Sequence, residues 1–240
     1  MKYALAALAV IPGAVLLYIA LLAVSALFVD GKRVYATNSR YYRFLLESST
    51  ACAFFIMRVK IHVTGLERVP RDARFLFVSN HRSNFDPLVT WHVLRGLDVA
   101  FISKPENFNV PVFGRLIRRC GFLPIDRSSP RSSMETLNKA AEMMRDDVVS
   151  FGIYPEGTRS KTCELLPLHN GIFTVAHKAS VPVVVATLRG TEQIHKRYIR
   201  RRTDVYFDVV DVIPASDAKS MRTNDIGARV ASDFQNNLQR

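Results

Sequence analysis

Cysteine is scarce and unpatterned. Cys52, Cys120 and Cys163 are the only three, with no CxxC pair and no zinc-type spacing to histidine. A disulfide framework is therefore not expected, and a reducing compartment fits the usage better. Acidic residues are missing before Asp30, and from Tyr3 to Val29 there is no charge of either sign. Internal repeats, low-complexity tracts and linker-like segments are also missing. What remains is 240 residues with 48% hydrophobic and 22% charged side chains. That composition excludes wholesale disorder and provides for a core in one domain, with room for an appendage. Lys and Arg number 33 against 21 Asp and Glu, a formal charge of +12. Anionic partners follow: an acidic membrane surface, phosphate-bearing substrates or nucleic acid.

The uncharged run of some 27 residues exceeds the ~20 that a spanning helix needs. A straight helix of that length is about 40 Å long against a hydrocarbon core of about 30 Å. Tilt, fraying or a kink at Pro12-Gly13 absorbs the surplus. A secretory signal is the competing reading, with Lys2 at its start and Val24-Ser25-Ala26 as a loose cleavage site. The run is far longer than the roughly 7–15 apolar residues of such signals, so a retained anchor is expected. Lys32, Arg33, Arg40 and Arg43 follow the run, which by the positive-inside rule puts the rest of the chain on the cytoplasmic face. A second apolar stretch, Phe44 to Met57, is too short to cross comfortably and contains Glu47, Ser48, Ser49 and Thr50. It reads as a helix lying in the interface or packed on the anchor, with an ordinary core helix as the alternative. The expected organisation is residues 1–60 as membrane anchor and interfacial helix, and 61–240 as a catalytic domain.

From His62 onward the pattern is α/β. Arg74–Ser79, Asp98–Ser103, Val148–Tyr154 and Val181–Leu188 are short apolar runs with the character of buried strands. Asp204–Ile213 alternates Val205, Phe207 and Val209 with Asp204 and Asp208, which predicts a half-exposed strand. Ser132–Glu135 fits a capping box, followed by Leu137, Ala141 and Met144 at helical spacing. Gly171–Ala179 reads as a helix, and Ile226, Val230, Phe234 and Leu238 mark a terminal one. The expected fold is α/β, a largely parallel sheet flanked by helices, with an N-terminal membrane-anchoring helical segment.

Chemistry-bearing residues sit where strands end. The first buried strand runs into Asn80-His81 and on to Asp86-Pro87. Residues five apart on a helix lie about 140° apart, so His81 and Asp86 meet only if the chain bends between them. Asn84 and Asp86-Pro87 supply turn chemistry for such a bend. In that arrangement Asp86 fixes the imidazole tautomer and the other ring nitrogen is a general base. The alternative is a histidine and an aspartate capping a loop. No serine or cysteine nucleophile carries its own motif, so a dyad would activate a hydroxyl of the substrate. A second cluster is Tyr154-Pro-Glu-Gly-Thr-Arg-Ser160. Gly157 permits close backbone approach, Thr158 and Ser160 can donate to phosphate oxygens, and Arg159 can hold phosphate bidentately. Glu156 could orient Arg159 or bind a substrate hydroxyl. Arg127 beside Asp126, and Lys104 after the DVAFIS strand, are further candidate phosphate ligands or plain surface charges.

These residues together resemble the 1-acyl-sn-glycerol-3-phosphate acyltransferase family, the glycerolipid acyltransferases with an NHxxxxD motif. Asn80-His81 with Asp86 is similar to the first family block. Lys104-Pro-Glu106 with Pro111, Phe113 and Gly114 resembles the connecting segment. Gly121 with Ile125-Asp126-Arg127 resembles the second block, Tyr154–Arg159 the third, and Val181-Pro182-Val183-Val184 the fourth. The resemblance runs from about Val69 to Leu188 in the family's order. It implies that His81 deprotonates the hydroxyl of lysophosphatidic acid, oriented by Asp86. The oxygen attacks an acyl thioester, from acyl-CoA or acyl carrier protein, and phosphatidic acid forms with no acyl-enzyme intermediate. Asn80, Lys104, Arg127, Glu156, Gly157, Thr158 and Arg159 form the implied substrate-binding set. Of these, Arg127, Glu156, Gly157 and Arg159 hold the phosphoglycerol group. No metal and no cofactor beyond the thioester co-substrate are expected. Partners are the lysophospholipid, the thioester, the membrane and in one version acyl carrier protein, with no nucleic acid. Pro124, Val185 and the Leu168-His-Asn-Gly171 segment depart from the family pattern. They leave the dyad intact and bear on the acceptor's identity.

Other features have plainer readings. The basic run His195–Arg202 could meet lipid headgroups, CoA phosphates or acyl carrier protein, or stand as a solvated loop. His62, His92, His169, His177 and His195 show no ligand spacing. Besides transfer to lysophosphatidic acid, the alternatives are transfer to another lysophospholipid or hydroxyl acceptor, a membrane-anchored hydrolase and a noncatalytic anionic-lipid binder.

Overall fold

A computed structural model describes residues 2–239, with side chains from residue 13 onward except that of residue 199. Two helices, α1 (Lys2–Leu27) and α2 (Arg40–Ile56), open the chain. The α/β body then runs β1 (Val59–Thr64), β2 (Leu76–Ser79), α3 (Asp86–Val93), β3 (Val99–Ser103), α4 (Phe113–Arg119) and β4 (Leu123–Pro124). It continues through α5 (Pro130–Arg145), β5 (Ser150–Ile153), α6 (Thr174–Ala179), β6 (Val183–Arg189) and α7 (Ile194–Arg197). It ends with β7 (Thr203–Ile213), α8 (Ala215–Ser220) and α9 (Thr223–Leu238).

The strands form one sheet in the order β1-β7-β6-β2-β5-β3-β4. The five from β6 to β4 run parallel, as expected for short apolar strands buried on both faces. β7 turns back antiparallel to β6, and β1 pairs in parallel with β7. The carboxyl ends of β6, β2, β5, β3 and β4 share an edge with the amino ends of β7 and β1. In such sheets, ligands bind beyond the carboxyl ends of the parallel strands. The middle of the sheet is dense: a Cβ on Gly152 would strike the Phe101 ring, so β5 admits that ring only because residue 152 is glycine.

Several local elements differ from the sequence expectation. The helix expected to begin at Ser132 begins three residues earlier. Ser129 is its cap, accepting from the Ser132 backbone N–H at 3.2 Å, and Pro130 takes the first turn, where no N–H is needed. The single helix expected over Gly171–Ala179 is a 3-10 turn (Asn170–Phe173) followed by α6, ended by Ser180 in a left-handed conformation. Asp208, expected on the exposed face of β7, is buried because Thr64 Oγ1 donates to it at 2.7 Å and Arg189 pairs with it at 3.2 Å. β1 and β4 were not visible as strands. β1 is half-exposed and finds its partner at Thr203–Asp208, far along the chain.

The expected span from Tyr3 to Val29 falls largely in α1, and its first part, up to residue 12, has side chains outside the described residues. Among the described residues, no helix is long and apolar enough to cross a membrane. α2 carries most of the Phe44–Met57 stretch. It packs on α1, where Tyr18 Oη donates to the Leu45 carbonyl at 3.0 Å, and it buries Leu45, Leu46 and Phe54 against the body. Its other edge stays apolar and exposed, with Phe44 64% and Phe55 84% accessible.

Arg43 belongs to this docking and not to the flanking surface charges with which the sequence grouped it. Its side chain enters the body and pairs with Asp98 at 3.2 Å. Nη1 donates to the Val99 carbonyl at 3.1 Å and Nη2 to that of Cys120 at 3.4 Å. The guanidinium lies 4.5 Å from the centre of the Trp91 ring. Arg43→Ala removes the donor to both carbonyls and leaves Asp98 with only Arg74, at 3.7 Å. The expected loss is about 3 kcal/mol, or roughly 6–12 °C in the thermal unfolding midpoint of detergent-solubilised protein. An unchanged midpoint would show that α2 docks by apolar contact alone.

Candidate active site

The site starts at the end of β2. Asn80 Nδ2 donates to the Leu188 carbonyl at 3.0 Å, and the Leu188 N–H donates to Asn80 Oδ1 at 2.8 Å. This buried amide extends the β2–β6 pairing by one more link. Asn80, expected among the substrate-binding residues, therefore fixes the point at which the chain leaves the sheet.

The chain then bends as the His81–Asp86 spacing requires. Asp86 is the first residue of α3 and fully buried. Its Oδ2 accepts the backbone N–H of Arg82 at 2.6 Å and of Ser83 at 2.7 Å, and meets His81 Nδ1 at 2.8 Å. An ionised carboxylate accepts only, so Nδ1 is the donor in this contact, and in the neutral imidazole the lone pair then sits on Nε2. That is the tautomer a general base needs. The His81 side chain is 16% accessible, enough for one ring edge to meet substrate.

Behind the imidazole lies Tyr154, with ring centres 4.3 Å apart and planes 21° apart. Tyr154 in turn stacks on Phe101 at 6.1 Å and 6°. Burial, with the Asp86 charge nearby, pushes the Tyr154 phenol well above its ordinary range, so it stays neutral, near Thr90 Oγ1 at 3.3 Å. The sequence alone assigns Tyr154 no role. It stood beside a motif, but the role depends on Phe101 from another strand.

The PEGTRS loop grips the main chain of His81. Glu156 Oε1 accepts the His81 N–H at 2.6 Å, and Oε2 accepts the Leu166 N–H at 2.9 Å. The Ser160 N–H donates to the His81 carbonyl at 2.8 Å. Glu156 therefore neither orients Arg159 nor offers a free oxygen to a substrate hydroxyl; both oxygens are bound to backbone. Burial raises its pKa, and the two backbone donors oppose that rise. Gly157 is left-handed at φ +68°, and a Cβ there would press within 2.8 Å of the His169 ring. Thr158 and Arg159 are exposed beyond it.

Lys104 follows β3 and Arg127 follows β4, so the topology brings both to the same edge as His81, each exposed. Neither bonds to the His81 loop among the described residues. Partial desolvation lowers the Arg127 pKa while the Glu106 carboxylate supports its charge. Asp126 is not its partner: Asp126 Oδ1 accepts from Ser128 N–H at 2.9 Å and from Ser128 Oγ at 2.6 Å, closing a local turn. Burial pushes the Cys120 thiol up to about 12, which leaves it inert as a nucleophile. The edge thus offers an oriented imidazole after β2 and exposed cations after the neighbouring β5, β3 and β4, chemistry suited to an anionic substrate bearing a hydroxyl.

Glu156→Gln keeps the volume but sets an amide NH2 against a backbone N–H. One of the two grips must open, with an expected loss of about 1–3 kcal/mol of stability. Equal unfolding midpoints for the variant and the parent would contradict the assigned grip.

A family model described as Acyltransferase matches residues 60–189, more than half of the chain. Among curated proteins, the chloroplastic 1-acyl-sn-glycerol-3-phosphate acyltransferase BAT2 of Brassica napus is 39% identical over 136 residues. That match spans 56% of this chain and 39% of the plant protein. The 1-acyl-sn-glycerol-3-phosphate acyltransferase alpha of Mus musculus is 26% identical over 213 residues, 89% of this chain and 72% of that one. The chain thus spans about two-fifths of the length of the plant relatives it matches. The crystal structure of PlsC, the 1-acyl-sn-glycerophosphate (LPA) acyltransferase of Thermotoga maritima, shares the fold. It has a TM-score of 0.70 at 22% identity, covering 93% of this chain and 88% of that one. The matched segment contains the dyad, its grip and the cations around it: the chain belongs to the acyltransferase family.

Proposed function

We propose that this chain transfers a fatty acyl group from a thioester, acyl-CoA or acyl carrier protein, to the free hydroxyl of lysophosphatidic acid. The observation that carries this reading is the Asp86-bound, partly accessible His81 at an edge bordered by Lys104, Arg127 and Arg159. The family membership and the substrates named for its relatives support it.

In the proposed reaction His81 Nε2 takes the hydroxyl proton as the oxygen attacks the thioester carbonyl. A tetrahedral intermediate forms; the C–S bond breaks, and the thiolate leaves with the proton carried by the imidazolium. Asp86 stabilises that imidazolium through Nδ1. Arg159, with Thr158 and Gly157, holds the acceptor phosphate, and Arg127 and Lys104 supply further positive charge. Written this way, the step uses no metal and no cofactor besides the thioester. Tyr154, Glu156 and Ser160 act through His81 by fixing its plane and its main chain.

Residues 1–60 are assigned to membrane attachment and 61–240 to catalysis. α1 serves as the anchor, the exposed edge of α2 lies in the interface, and the catalytic body faces the cytoplasm. The bilayer keeps the one-chain acceptor and two-chain product within reach of the sheet edge. The departures from the family pattern at Pro124, Val185 and Leu168-His-Asn-Gly171 keep a second reading, in which the acceptor carries a different headgroup. It replaces no part of the chemistry.

The test offers lysophosphatidic acid and oleoyl-CoA to detergent-solubilised protein. Phosphatidic acid is expected, with His81→Ala slower by about 10²–10⁴-fold. Asp86→Asn is expected to lose at least about 10²-fold, because an amide presents Nδ1 with the wrong partner. Arg159→Ala should raise KM for the acceptor more than it lowers kcat. Undiminished transfer by His81→Ala would remove the base from the mechanism. Thiol release without acceptor would reassign the chain as a hydrolase.

A further inference from the structure

The basic run that the mechanism leaves unused has a defined place in the fold. β6 ends at Arg189, and the chain passes through α7 and a 3-10 turn, Tyr198–Arg200, before entering β7 at Thr203. Ile194 is buried and anchors the segment, while Lys196, Arg197, Arg200, Arg201 and Arg202 are exposed. The Arg201 N–H donates to the Arg197 carbonyl at 3.4 Å, which folds the run onto itself. The Thr203 N–H donates to the Arg58 carbonyl at 3.1 Å, and Lys60 lies opposite Asp204 in the register of β1 and β7. Seven cations therefore meet on one lip of the sheet. Arg202 is held by Asp204 at 2.9 Å. Among the described residues, Arg58, Lys60, Lys196, Arg197, Arg200 and Arg201 have no carboxylate partner. Such a cluster repels itself until an anion meets it.

The lip also adjoins the site. Arg189 is the last residue of β6 in register, opposite Tyr206, so Thr203 lies three residues further out. At ~3.3 Å per residue, the lip projects about 10 Å past the end of β6. Leu188, one residue before that end, is the partner of Asn80, which precedes His81. The lip thus borders the open edge on which the base sits. Its other neighbour is the last turn of α2, where Phe55 is 84% and Ile56 48% accessible, just before Arg58; Tyr198 within the run is 50% accessible. Apolar and aromatic side chains beside unpaired cations match an interface in which the former enter the acyl boundary and the latter meet phosphates. An acidic protein or a nucleic acid would complement the charges and leave Phe55 and Ile56 unmatched.

We propose that the lip formed by Arg58, Lys60 and the Lys196–Arg202 run is a docking surface for anionic lipid headgroups, seating the His81 edge against the bilayer. The proposal extends the membrane-lipid reading given above, and it is tested without catalysis. The full chain is reconstituted in bilayer discs of phosphatidylcholine alone or with about 30% phosphatidylglycerol. Amide hydrogen exchange is then followed over residues 194–203. Anionic lipid should slow exchange in the run at least ~10-fold, and about 0.5 M salt should abolish the slowing. Replacing Lys196, Arg197, Arg200 and Arg201 together by Gln should remove it, with exchange in β2 and β5 unchanged as proof of folding. His81→Ala should retain the slowing, so a failure of the acyl-transfer reading leaves this result standing. Equal exchange in the two bilayers overturns the proposal. Slowing by soluble acyl-CoA or acyl carrier protein, with none from anionic lipid, also overturns it and makes the lip a donor site.

Discussion

A buried carboxylate sets the geometry of this protein's working edge. Asp86 lies out of water, where an unpaired charge would be prohibitive, and its Oδ2 collects three donors from one turn of chain. Two are backbone N–H groups, and the third is the imidazole of His81. Its position at the start of α3 adds the favourable end of the helix dipole. Loop shape and ring orientation therefore share one origin. The bend that lets His81 reach Asp86 is the same bend that aims the Arg82 and Ser83 amides at it.

The rest of the site removes the freedom that this contact leaves. Tyr154 sets the plane of the imidazole, and the glycine at 152 makes room for the Phe101 ring that supports Tyr154. Glu156 and Ser160 fix the main chain of His81 from both sides. Asn80 ties the loop to β6. An imidazole restrained this way would need little reorganisation if it served as the proposed base. The cations differ: Lys104, Arg127 and Arg159 stand exposed on loops, where side chains can adjust to an incoming anion.

Much of this was legible in the sequence, for identifiable reasons. Short apolar runs bounded by turn residues gave β2, β3, β5 and β6, because burial on both faces leaves a dense local signature. The His81–Asp86 contact was legible as a spacing that demands a bend. The roles of Glu156 and Asn80 were not. A carboxylate beside an arginine looks like an ion pair in one dimension, and only the fold brings the His81 and Leu166 amides to it. β1 was hidden because half of its side chains face solvent and its partner follows far along the chain. Arg43 looked like a flanking surface charge because nothing local reveals that Asp98 and two carbonyls wait for it.

At the centre of the account is a base that activates the acceptor directly, with no nucleophile of the protein's own. Intact-protein mass spectrometry after incubation with an acyl thioester and no acceptor tests this most directly. The account predicts an unmodified chain, with thiol released only once lysophosphatidic acid is added. A stoichiometric acyl adduct on the chain, discharged by the acceptor, would contradict it.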